Sequence, residues 1–223
     1  MDTAGLYTSL IQSKYYLAFE LLGIFVILPA VIYALLPVPI LPVLWIVSFL
    51  SIWAVFKDKA FDRDSLWRAS ELKKNYKNLL IQFILIAAVM IALVSLLIPD
   101  HLFSLIEQKP MFWAFIVILY PLISAYPQEL LYRTFFFHRY RMFFKKKWQI
   151  ITVNALLFGY MHIIFQNWVA VGLTLLGGFL FASIYQKTRS TFFVSVTHAL
   201  YGNLIFTVGL GPYFYNGTIL TLS

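Results

Sequence analysis

The sequence predicts an all-α fold, a polytopic bundle of membrane-spanning helices, on three observations. The chain of 223 residues is 61% hydrophobic and only 12% charged, where a soluble domain is about 45–50% apolar and about 25% charged. Its apolar residues fall into seven runs close to the roughly 20 residues that a helix needs to cross a bilayer. The basic residues between those runs alternate in a way that only a threaded chain explains. A mean hydropathy of +0.82 agrees.

The runs are 15–36, 40–56, 79–98, 111–135, 149–166, 168–186 and 191–210, with an eighth short element allowed. The first begins after Lys14 and is as long as a full span, so it reads as an anchor and not as a cleavable signal. The second is short and starts in the Pro-rich LPVPILP, which predicts a tilted or partly re-entrant helix. The fourth is extendable towards Phe144. Segment 57–77 holds seven Lys/Arg, segment 139–147 five, and QKTRS adds Lys187 and Arg189. With Lys14, these fall on one side of a seven-span topology, and Lys109 is left on the other. The positive-inside rule then predicts a cytoplasmic N-terminus. The net charge of +8 is explained by this bias, without nucleic acid as a partner. No break in composition divides the chain, so 1–223 reads as a single integral membrane domain. The tail carries a formal glycosylation tripeptide at Asn216, to which little weight attaches.

Within the spans, polar side chains are the signal, because a spanning helix satisfies its own backbone. An ionisable group there is expensive and marks a functional site by default. Gln128, Glu129 and Arg133 stand in YPQELLYR. Glu129 and Arg133 are one turn apart and able to pair, and Pro127 before them frees a carbonyl and kinks the helix. The plainer reading is a salt bridge that pins helices together. Asn154 and His162 stand in NALLFGYMH, about two turns apart, so both can face one partner. His198 and Asn203 stand in HALYGN. Each histidine alone reads as a packing residue; two histidines with a Glu–Arg pair read as a site. Along the helices, His198 lies about 13 Å inside Arg189 and Glu129 about 15 Å inside Arg139, whereas His162 comes out at about 22 Å from Lys147. Glu20 reads as interfacial, and His101 and His138 as structural.

With no cysteine in the chain, disulfides, zinc–thiolate sites and thiol nucleophiles are excluded. A carboxylate, two imidazoles and amides suggest hydrolysis. Glu129 or a histidine would act as general base; a second histidine with Asn203 would donate to an oxyanion. Zinc is conceivable on two His and a Glu, but without the HExxH spacing it is not favoured, and no cofactor is expected.

QELLYR at 128–133, FGYMH at 158–162 and HALYGN at 198–203 resemble, in order and spacing, the three motifs of the CAAX-protease and bacteriocin-processing family of intramembrane proteases, written EExxxR, FxxxH and HxxxN/D. The resemblance covers about 80–210, the implied catalytic core. It implies an endopeptidase acting on a membrane-anchored, CAAX-like or other C-terminal peptide. It further implies a Glu and a His that activate water and a second His and an Asn that steady the oxyanion. Residue by residue, it gives Glu129, Arg133, His162 and His198 the family's roles. Two positions depart. Gln128 stands where the family has its first Glu, and Gly202 stands at the Asn/Asp position, with Asn203 one residue on. Three outcomes stay open: Glu129 is the base, His162 acts alone, or the protein binds peptide as an immunity or scaffold protein without cleaving it. A proton-relaying transporter is a further reading, weakened by the lack of internal repeats. The expected location is the bacterial inner membrane.

Overall fold

The computed structural model describes residues 13–35 and 37–214; the tripeptide at Asn216 lies outside them. Most of those residues are helical, and no strand is found among them. The seven long helices are α1 (Lys14–Ala34), α2 (Ile40–Phe56), α3 (Ser70–Leu97), α4 (Pro110–Arg139), α5 (Lys147–Met161), α6 (Trp168–Thr188) and α7 (Thr191–Thr207). Each coincides with one apolar run. Five segments are long and apolar enough to cross a membrane, namely those of α1, α3, α4, α5 with its following turn, and α6. The other two, α2 and α7, have 17 residues each. That is about 25 Å of helix, a little less than the hydrocarbon core.

Three boundaries differ from expectation. α3 begins at Ser70, so part of the basic segment 57–77 is helix; Glu71 and Lys74 pair across one turn at 2.8 Å. α4 ends at Arg139, and a separate 3-10 turn, Arg141–Phe143, follows it. α5 ends at Met161 and tightens into a 3-10 turn, His162–Phe165, in place of the helix expected to 166.

α4 is the axis of the bundle. Its FFF run, Phe135 to Phe137, is buried on every side, as befits a helix apolar all round its circumference. Phe25 of α1 meets Tyr132 and Phe136 edge-on at 5.1 and 5.3 Å, and Tyr185 of α6 meets Phe137 at 5.2 Å. α5 and α6 pack closely through small residues. A Cβ on Gly178 would come within 3.0 Å of the Ala155 backbone, and one on Gly159 within 3.1 Å of Leu175. Small residues permit such approach between helices in lipid.

The two ends of the bundle are distinct. At one end, Arg68 donates to the carbonyls of Thr188 and Arg189, His138 bonds Asp58 at 2.7 Å, and Glu20 holds both Arg139 (2.9 and 3.1 Å) and the Tyr140 hydroxyl (3.0 Å). The Asp58 carboxyl sits below its usual range, chiefly through the Ala60 amide, with burial opposing and His138 assisting. At the other end, Trp113 of α4 donates to Thr207 of α7 and Asn167 to the Tyr213 carbonyl. There Gly209 (φ +93°) lets the chain pass against the His101 carbonyl, where a Cβ would collide.

Two prolines interrupt α4, and both liberated carbonyls are caught by neighbouring helices. Pro121 and Pro127 have no N–H to offer the residues four before them. The Val117 carbonyl accepts from Asn203 Nδ2 of α7 at 3.1 Å, and the Ile123 carbonyl from Trp45 Nε1 of α2 at 3.0 Å. Ser48 of α2 adds a bond to the Pro127 carbonyl at 2.9 Å. Wider π-helical turns at Pro121–Ala125 and Leu130–Phe135 accompany the breaks. Such turns gather at functional sites.

Asn203→Leu strands the Val117 carbonyl and is expected to cost about 1–3 kcal/mol, read as a lowered thermal midpoint in detergent. Adding Pro121→Ala restores an N–H for that carbonyl and should recover much of the loss. A double variant no more stable than Asn203→Leu would contradict the assignment.

Candidate functional site

Glu129 and Arg133 face the interior of the bundle, each 0% exposed. Arg133 Nε lies 3.1 Å from Glu129 Oε2. The approach is off the line that a hydrogen bond requires, and both atoms lack a hydrogen-bond partner among the described residues; charge, not a linear bond, holds them. Arg133 Nη1 donates to Asn154 Oδ1 at 2.6 Å, and Asn154 Nδ2 donates to the Tyr132 carbonyl at 2.6 Å. The guanidinium lies over the Phe158 ring, 4.7 Å from its centre, a cation–π contact strengthened by desolvation.

The other oxygen of the carboxylate, Oε1, receives His198 Nδ1 at 2.8 Å. A carboxylate paired with Arg133 accepts only, so His198 carries its proton on Nδ1. Its Nε2 lies 3.0 Å from the Tyr120 hydroxyl, and its ring stacks on Phe181 at 4.6 Å. His162 is fixed by the same logic. Its Nδ1 donates to the Phe158 carbonyl at 2.7 Å, which leaves the Nε2 lone pair available.

Beside these groups is a cavity of ≈ 590 Å³ with apolar walls, lined by His162, His198, Tyr120, Ser124 and Gln128 among others. Gln128 donates to Ser124 Oγ at 2.9 Å. Glu129 does not line the cavity; it stands behind His198. The structure thus brings Gln128, His162 and His198 to one cavity and leaves Glu129, Arg133 and Asn154 outside its lining.

Two expectations about partners change. Asn154 and His162 do not share one: Asn154 serves Arg133, while His162 turns to Phe158 at the point where α5 tightens. Asn203 does not line the cavity, and its Nδ2 donates to the Val117 carbonyl at 3.1 Å. What sequence reading missed is Tyr120. A Cβ on Gly202 would fall inside the Tyr120 ring. The glycine at the motif position therefore makes room for a tyrosine from α4, whose hydroxyl reaches His198. The signal in the sequence is a glycine where an amide is usual, together with a tyrosine beside Pro121.

Among the described residues, no three His, Asp or Glu side chains converge as metal ligands. Both nitrogens of His198 and one of His162 are engaged within the protein.

Fold and site together define a multi-pass membrane protein with a polar site built inside its helix bundle. Residues 109–204 match the family model described as type II CAAX prenyl endopeptidase, Rce1-like, in agreement with the resemblance of the three motifs. That family implies CAAX-type intramembrane protease activity in general terms. No curated protein and no solved structure matched the chain.

Arg133→Leu leaves Glu129 buried without its counter-charge and should destabilise the protein by about 3–5 kcal/mol, measured by thermal unfolding in detergent. Glu129→Gln added to it removes the stranded charge, so the double variant should be the more stable of the two.

Proposed function

We propose that the protein is an intramembrane endopeptidase that hydrolyses a peptide bond of a membrane-anchored substrate, CAAX-like or otherwise C-terminal. The observation that carries this reading is that two imidazoles border one cavity, each anchored through Nδ1: the Nε2 lone pair of His162 is left for chemistry, and that of His198 accepts from the Tyr120 hydroxyl. His162 Nε2 takes a proton from water as the water oxygen attacks the scissile carbonyl carbon. The oxyanion that forms is met by the Tyr120 hydroxyl, which turns its one proton from His198 Nε2 to it. The C–N bond then breaks, and His162 returns the proton to the leaving amine. Glu129 acts through His198 as a positioning residue: it fixes the tautomer and offsets charge on the ring, as a buried carboxylate does behind a catalytic histidine. Arg133 and Asn154 hold Glu129 in turn. Gln128 orients the substrate or water through its amide.

The whole chain would act as one membrane domain of seven spans with a cytoplasmic N-terminus, in a bacterial inner membrane. A second reading has a specific observation behind it. Gln128 lines the cavity where the family's motif has a glutamate, so the wall offers no carboxylate of its own at that position. On that reading the protein binds a membrane peptide without cutting it.

The test is cleavage of a mixed pool of prenylated and unprenylated membrane peptides, read by mass spectrometry. Turnover should fall about 10²–10⁴-fold in His162→Ala, fall in Glu129→Gln, and survive a chelator. Peptide retention without cleavage by the wild type, with cleavage gained in Gln128→Glu, would establish the binding reading instead.

A further inference from the structure

We propose that Ser124 and Gln128 together clamp the backbone of one substrate residue, two positions from the residue whose carbonyl is attacked. The inference deepens the hydrolytic reading and rests on it for the place of the scissile bond. The clamp itself needs only that a peptide enters the cavity.

One face of α4 carries it. Tyr120, Ser124 and Gln128 stand four residues apart and all line the cavity, so they form a row with about 6 Å between neighbours. Alternate residues of an extended chain recur at about 6.6–6.8 Å. With the Tyr120 hydroxyl on the oxyanion, Ser124 and Gln128 come level with the residue two places along.

The bond between the two side chains determines what each has left to offer. Gln128 Nε2 donates to Ser124 Oγ at 2.9 Å, so the serine oxygen is an acceptor there and keeps its own proton to give. Elsewhere in the long helices Ser95, Thr174, Thr188, Thr197 and Thr207 each return that proton to the carbonyl four residues before, a usual habit of a helical hydroxyl. Among the described residues Ser124 makes no such bond, and Gln128 Oε1 accepts none. The pair thus presents one donor and one acceptor side by side. In an extended chain the N–H and C=O of a single residue point to the same edge. The Ser124 hydroxyl donates to that C=O, and Gln128 Oε1 accepts from that N–H.

The apolar cavity makes the clamp count. Peptide groups that leave water for such walls are costly unless they are met, and the polar groups available to meet them are few. Because the clamp reads backbone, it sets register and asks for no particular side chain. A glutamate at 128, as in the family motif, has no proton to give Ser124 and would draw the serine's instead. The amide is what leaves the hydroxyl free for substrate.

The test is peptide binding by purified His162→Ala, in which turnover is suppressed. The probe is a farnesylated peptide with a CAAX ending, bearing one backbone N-methyl group moved along it residue by residue. A single position should lose binding about tenfold, the worth of one hydrogen bond, and it should lie two residues from the bond that the wild type cuts. With Gln128→Met added, the unmodified peptide should bind about tenfold more weakly and the same N-methyl group should cost nothing more. Ser124→Ala, a one-atom deletion, should also weaken the unmodified peptide, which keeps the test open if Gln128→Met does not fold. Equal sensitivity at every position, or losses that simply add in Gln128→Met, would overturn the clamp. So would failure to hold this peptide at all, since a backbone clamp needs no special sequence. A wild type that shows the N-methyl pattern yet never cuts leaves the clamp standing and sinks the hydrolytic reading; cutting without the pattern does the reverse.

Discussion

A guanidinium sealed inside a helix bundle is the constraint on which the site depends. Arg133 is shut off from bulk solvent, so its charge must be met by protein. Glu129 supplies the counter-charge, Asn154 an amide oxygen and Phe158 a π-face. Each of these commitments fixes a second thing. Holding the Glu129 carboxylate in place fixes the tautomer of His198, and placing Phe158 fixes the carbonyl to which His162 donates. Two helices are thereby brought to one wall by a pair that itself never touches the cavity. Such pairs are weak sources of net stability because desolvation opposes attraction; their use here is to leave the imidazoles one orientation each.

α4 carries this pair while being the least regular helix of the bundle. Prolines at 121 and 127 remove two rungs of its ladder, and wider turns follow. In lipid an unmet carbonyl is costly, so the breaks are tolerable only because α2 and α7 supply Trp45 and Asn203. The same bonds tie α4 to α2 and α7. The helix that carries Tyr120, Gln128 and Glu129 is thus attached through its own irregularity.

Much of the fold was legible, for physical reasons. Apolar runs of spanning length leave a chain little choice but helix, and all seven runs became helices. The Glu129–Arg133 pair was legible from its one-turn spacing, and the three motifs pointed to one site. The ends of α3 and α5 were not legible. Lys73, Lys74 and Lys77 read as loop by charge, yet basic residues are good helix formers, and nothing in FGYMH announces the tightening at His162. The division of labour was hidden too. Consecutive residues Gln128 and Glu129 point about 100° apart on their helix, and in a run apolar all round no periodicity says which of them faces the cavity. Asn203 looked like a donor to substrate because its partner, a carbonyl freed by Pro121, lies 86 positions away.

Tyr120 and Gly202 occupy a single volume between α4 and α7. The two positions are therefore one character of the fold, written in two places in the chain. A lineage that enlarges residue 202 must shrink residue 120 or lose the contact between the helices. The polar group beside His198 can thus pass from one helix to the other across evolution while the site keeps its shape. A motif defined along one helix would then record a vanished residue where the chemistry had only changed its address.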